Sequence, residues 1–149
     1  MTRIPVLALL AVGCAAPAPR PLVIGPDGCS HCHMRLADTR FGAELVTRTG
    51  KVLPFDDAGC LATFVQGDRP EAKQIHSLWV SDFARPDRLL PVEQAAFVRH
   101  ASFRTPMDHG IVALATAAAA DSVLAGLGGD GDRLDWSGVL RATAERNAP

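Results

Sequence analysis

Cys29-Ser30-His31-Cys32-His33-Met34 packs two thiols, two imidazoles and a thioether into six residues. Soft sulfur donors select soft metals such as Cu(I), and imidazole suits copper and zinc. Cys29 and Cys32 converge only across a turn, and Gly25-Pro26-Asp27-Gly28 just before them has turn chemistry. An extended chain after Cys32 would put Cys32 and Met34 on one side, because side chains alternate along a strand. A second thioether stands in Thr105-Pro106-Met107-Asp108-His109-Gly110, and a further thiol at Cys60. A fold that gathers these stretches makes a soft-metal site.

Other chemistries compete for the same residues. Cys29-x-x-Cys32-His33 has the spacing of covalent haem attachment. In that reading both thiols hold vinyl groups, and His33 and Met107 are axial ligands. Small c-type cytochromes surround that motif with helices, whereas a hairpin pattern follows here. A thioredoxin-like pair needs its first thiol at a helix N-terminus, and no helical pattern starts at Cys32. A structural zinc site needs four closed ligands. Cys29, Cys32, His33 and Cys60 would supply them, but no second paired-ligand motif accompanies them. In Phe55-Asp56-Asp57-Ala58-Gly59-Cys60, Asp56 reads as a helix cap and Cys60 as a small residue on the buried face. His31, His76 and His100 read as surface or capping residues. The glycines of 126–131 follow a helix instead of leading from strand to helix, which removes the phosphate-loop mechanism. Asp130, Asp132 and Asp135 lack the closing Glu of a calcium loop.

The elements that must position these residues follow from pattern. Residues 40–48 alternate as a strand, Thr49-Gly50 signals a hairpin, and 51–55 return as a second strand whose Pro54 marks an edge. A helix is expected over 57–66, with Ala58, Leu61, Ala62 and Val65 at helical spacing and Gly67 ending it. Residues 75–83 form the clearest strand. Arg85-Pro86-Asp87 reads as a linker and 91–95 as a turn. Strands are expected over 96–102 and 111–115. Thr116 caps an alanine-rich helix to about Gly126, 133–134 form a short strand, and Asp135 caps a last helix over 136–146. The order is strand, strand, helix, strand, given twice: an α+β fold of two small ββαβ-type units in tandem, 23–84 and 85–149.

The 149 residues are 48% hydrophobic and 21% charged, which is globular. A net charge of −1 with scattered Lys and Arg gives no electrostatic basis for nucleic acid binding. The N-terminus reads as an export signal over 1–13. Arg3 precedes the apolar run Ile4 to Val12, and Leu10-Ala11-Val12-Gly13-Cys14 resembles the lipobox of bacterial lipoproteins, cut before a Cys that then carries lipid. The run is too short to span a bilayer. The Pro/Ala segment that follows, within 14–22, reads as a semi-rigid tether. These readings predict an exported lipoprotein anchored to the outer or cell membrane through Cys14, facing the periplasm or the outside. Three other thiols remain, an odd number that argues against a full disulfide framework.

Taken together, these blocks resemble the NosL family, copper-binding lipoproteins that accompany nitrous oxide reductase. The resemblance rests on Cys29-x-x-Cys32-x-Met34, Phe55-Asp56-Asp57-x-Gly59-Cys60, Trp79-Val80-x-Asp82-Phe83, Ala96-Phe97-Val98, Thr105-Pro106-Met107 and Gly110-x-Val112-Ala113. It implies two strand-strand-helix-strand units, an arrangement also seen in organomercurial lyase. It implies a carrier without catalytic turnover that delivers Cu(I) to the copper-sulfide centre of nitrous oxide reductase, or to a related copper acceptor. Carried over, Cys32, Met34 and Met107 are the ligands, joined by Cys29. Two departures stand out. His33 replaces the family's usual Gly, and Asp108-His109 replaces a more neutral pair, so His33 and His109 could each add a nitrogen ligand. The lyase analogy leaves a second alternative to haem, a thiol-dependent carbon–metal lyase using Cys29, Cys32 or Cys60 with Asp57.

Overall fold

The computed structural model describes residues 16–148. The signal-like stretch 1–13 and Cys14 lie outside the described residues. The element order is β1 (Ala43–Thr47), β2 (Val52–Phe55), α1 (Ala58–Gln66), β3 (Ile75–Asp82), β4 (Arg85–Pro91), β5 (Ala96–Arg99), β6 (Ile111–Leu114), α2 (Ala117–Gly126), β7 (Asp132–Leu134) and α3 (Trp136–Arg146). A 3₁₀ turn over Glu71–Lys73 precedes β3. The fold is α+β.

The strands form one sheet in the order β2-β1-β3-β6-β5-β7, with β4 also paired to β3. Every pairing is antiparallel except β3 with β6, which meet at Asp82 and Ala113. In β1-β2-α1-β3 and again in β5-β6-α2-β7, the first strand lies between the other two. The β1–β2 hairpin turns at Gly50, whose φ of 83° is open to glycine and strained for other residues. Pro54 sits in the edge strand β2, where a missing ladder N–H is tolerated.

Helices cover both faces. On one, α1 and α3 pack over Leu45, Phe55, Val80, Phe97 and Ile111, with Leu61, Phe64 and Val139 contributed from the helices. Burying such a side chain contributes about 1.5–3 kcal/mol. On the other face, α2 brings Ala120 against Val98, Val112 and Leu114. Among the described residues, no helix is long and apolar enough to cross a membrane.

Two expectations need correction. Arg85-Pro86-Asp87 is not a linker but the start of β4, which pairs with β3 through Leu90 opposite Val80. Its exposed, charged first half hides the strand. The cap of α1 is Asp57 rather than Asp56: Asp57 has extended backbone, and its Oδ1 accepts from the Cys60 N–H at 2.7 Å. Asp56 is also buried, and its Oδ1 accepts from the Ala37 N–H at 3.4 Å.

Candidate metal centre

The Cys29–Met34 segment is a closed loop. The Cys29 N–H donates to the Met34 carbonyl at 2.7 Å, and the His33 N–H returns to the Cys29 carbonyl at 2.9 Å. A bridge between Gly28 and Arg35 closes the base. His33 has a φ of 64°, the left-handed region, so the chain does not run extended from Cys32 to Met34. The alternation expected to align their side chains therefore does not apply. The loop is pinned to the sheet edge by the Ser30 N–H, which donates to the Pro54 carbonyl at 2.8 Å.

Pro54 lies just ahead of α1, so the pinned loop meets the first turn of that helix. The result is a cluster of three thiols: the sulfurs of Cys29, Cys32 and Cys60 lie within 4.8 Å of one another. None is in a disulfide. Metal–thiolate bonds of roughly 2.3 Å place three sulfurs about 4 Å apart around one ion. Cys29 and Cys60 are buried and Cys32 is partly exposed, so the cluster has one face toward solvent. Cys60 does line the buried side of α1 as read from sequence, but it also faces the other two thiols.

The thiols are electrostatically unequal. The Cys60 thiol beside the Cys29 sulfur lowers the Cys29 thiol to about 5 against the opposing effect of burial. The backbone N–H groups of Cys32, Asp56 and His31 add to this lowering. Cys60 is pushed up by Cys29 in turn, and burial and the Asp57 charge push it further. Burial raises Cys32. Cys29 is thus the most acidic of the three thiols.

The second half of the chain reaches this centre through Asp57. Beyond capping α1, Asp57 accepts the Met107 N–H at 3.3 Å, and its two oxygens lie 3.1 and 3.0 Å from Nδ1 of His109. Burial raises the Asp57 carboxyl, but the His109 ring and the two N–H donors outweigh it and hold it below the usual range. Room for the ring comes from Gly59, where a Cβ would stand 2.1 Å from the His109 Cγ. Arg146 at the end of α3 closes the far side of this loop, donating to the Asp108 carbonyl at 2.5 Å and to that of Met107 at 3.4 Å.

Cys29 and Cys32 are thus brought together, with Cys60 as a third thiol. Met107 packs against the core that holds them. His109 is anchored at the start of α1, and its nitrogens stand outside the three-sulfur group. Met34 is 45% exposed, and His33 is also exposed. His31, read from sequence as a surface or capping residue, has a buried Nδ1 without a partner among the described residues. In the sequence Cys60 stands as a further thiol and a candidate zinc ligand, with no spacing that ties it to Cys29 and Cys32.

The family model described as NosL matches residues 23–136. In fold, the chain is similar to the copper chaperone NosL from Shewanella denitrificans, with a TM-score of 0.62 and 21% identity; the match covers 80% of this chain and 96% of that one. No curated protein matches the chain.

Proposed function

The chain belongs to the NosL family, and from that premise we propose that it is a Cu(I) carrier without catalytic turnover. The observation that carries this reading is the Cys29, Cys32 and Cys60 cluster. Three soft donors suit Cu(I), and among the described residues no fourth His, Cys or carboxylate joins the group as a structural zinc site requires. Met107, Met34, His33 and His109 are the outer donors in this proposal. Thioether and imidazole are neutral, so they offer the ion weaker holds from which a stronger acceptor can take it. The acceptor is nitrous oxide reductase or a related copper protein. The setting is the periplasmic or outer side of a membrane, with Cys14 lipidated as anchor.

Burial of Cys29, 1% exposed, disfavours haem, whose attachment needs both thiols open to the vinyl groups. Asp57, the acid a lyase would use, is already engaged by His109, Cys60 and Met107.

The test is anaerobic titration with Cu(I) against a chromophoric chelator. One equivalent should bind, with sulfur neighbours in the copper X-ray absorption spectrum and no Soret band. Cys29→Ser, Cys32→Ser and Cys60→Ser should each weaken binding at least tenfold. Wild-type affinity in all three would remove the thiol cluster as the site.

A further inference from the structure

One carboxylate links the thiol cluster to the outer donors. Asp57 Oδ1 takes the Cys60 N–H, while Oδ2 takes the Met107 N–H and both oxygens face Nδ1 of His109. An ionised carboxylate only accepts. Nδ1 of His109 therefore carries the hydrogen, and in the neutral ring Nε2 keeps its lone pair. Among the described residues nothing hydrogen-bonds Nε2. A carboxylate behind one ring nitrogen is the usual way a protein orients an imidazole whose other nitrogen meets a metal.

The surroundings fit that role. Gly59 leaves the space the ring occupies. The loop accepts left-handed backbone at Asp108 (φ 55°) and Gly110 (φ 66°). Its Gly110 N–H is held by Thr105 Oγ1 at 3.1 Å, and its carbonyls by Arg146. This ties the shape of the loop to Asp57 from one side and to α3 from the other. Asp57 thereby ties the Met107 backbone and the His109 ring, a side chain 9% exposed, to the turn of α1 that carries Cys60.

We propose that Asp57 is the positioning residue of copper exchange: by fixing the Met107 loop and the His109 ring it sets Met107 and His109 as a second donor pair for Cu(I) passing to and from the three-thiol cluster. The proposal rests on the carrier reading above. No bond to the protein changes in the step beyond one copper ligand replacing another.

The variant Asp57→Asn isolates this role, because Asn caps a helix about as well as Asp yet carries no charge for the imidazole. The full chain is loaded anaerobically with Cu(I), and the rate at which a chelator strips the ion is followed beside the equilibrium affinity and the X-ray absorption spectrum. D57N should keep its far-UV circular dichroism and its sulfur neighbours while transfer slows about 10–100-fold, the range typical of residues that orient metal ligands. His109→Gln and Met107→Leu should slow transfer likewise, and D57N combined with M107L should be no slower than either alone. A purely structural Asp57 would instead lose sulfur coordination without this shared kinetic effect, and that result overturns the proposal. So do wild-type transfer rates in D57N and H109Q. If D57N fails to fold, H109Q, which leaves the cap intact, decides alone on the same rates. Wild-type protein that takes up no Cu(I) overturns the carrier reading and this proposal with it; wild-type uptake with unchanged variant kinetics overturns this proposal only.

Discussion

At a φ of 64°, His33 holds backbone that glycine adopts freely and other residues adopt at a cost of order 1 kcal/mol. The Cys29–Met34 closure demands that turn, a position glycine would take without strain. His33→Gly should therefore leave stability unchanged or raise it by up to about 1 kcal/mol, since relief of strain is partly offset by a freer unfolded chain. His33→Val, β-branched in the left-handed region, should lose about 1–3 kcal/mol. Urea unfolding of both variants checks the order, and a Val variant as stable as the Gly variant would remove the argument. Gly59 is the converse case. Gly59→Ala drives a methyl into the His109 ring and should cost about 1–3 kcal/mol by overpacking. Individual ligand types were legible in the sequence at this scale, but their partnerships were not. Cys29 and Cys32 announce themselves by spacing, whereas Cys60 joins them only because the Ser30 to Pro54 bond sets the loop beside α1.

Element by element, legibility followed local chemistry. Thr116 and Asp135 cap α2 and α3 as their side chains suggest, with Thr116 Oγ1 accepting from Ala119 and Asp135 Oδ1 from Gly138. Asp135→Ala should accordingly cost about 1 kcal/mol, read as a lower thermal midpoint. Because α3 ends in Arg146, which holds the Met107 loop, the same variant should raise amide exchange over 105–110. Unchanged exchange there would mean that α3 does not brace the loop. Reading α1 went wrong by one residue because Asp56 and Asp57 are equally good caps in isolation. Asp57 takes the cap with its bond to the Cys60 N–H and adds His109 and Met107 from far along the chain, partners no local pattern shows. Strand β4 stayed hidden for a different reason. Its outward residues are charged, two of its seven are proline, and only Leu90 is fully buried. Its strand character comes from β3 rather than from its own alternation.

Across the whole molecule, the sheet buries two acids outside the metal centre among the described residues, Asp82 beside Arg85 in β3–β4 and Glu44 in β1. Glu44, the second residue of β1, has no exposure, its Oε2 accepting the Arg20 N–H at 3.1 Å and its Oε1 left without a partner among the described residues. Burial raises its carboxyl to about 7, against the opposing effect of Arg20 and with a small addition from the Asp27 charge. A carboxyl whose folded value lies above its unfolded value of 4.5 stabilises fully below 4.5, and that contribution is lost as pH rises through about 7. Asp56, raised by burial to about 6, acts in the same sense. Cys29 opposes them: lowered to about 5, its contribution is present above its unfolded value of 9.0 and lost as pH falls through about 5. The pH profile of the wild-type protein therefore mixes opposite slopes, and comparison with Glu44→Gln isolates one of them. Gln keeps an acceptor for the Arg20 N–H and has no charge to bury. The two proteins should be nearly equal in stability at pH 5, and E44Q should be more stable by roughly 1–3 kcal/mol at pH 8. Paired denaturant melts at the two pH values measure this directly. A gap that does not widen with pH would mean that Glu44 finds its missing partner in solution, through a bridging water to Oε1, and that the segment at Arg20 seals it less tightly than its hydrogen bond implies.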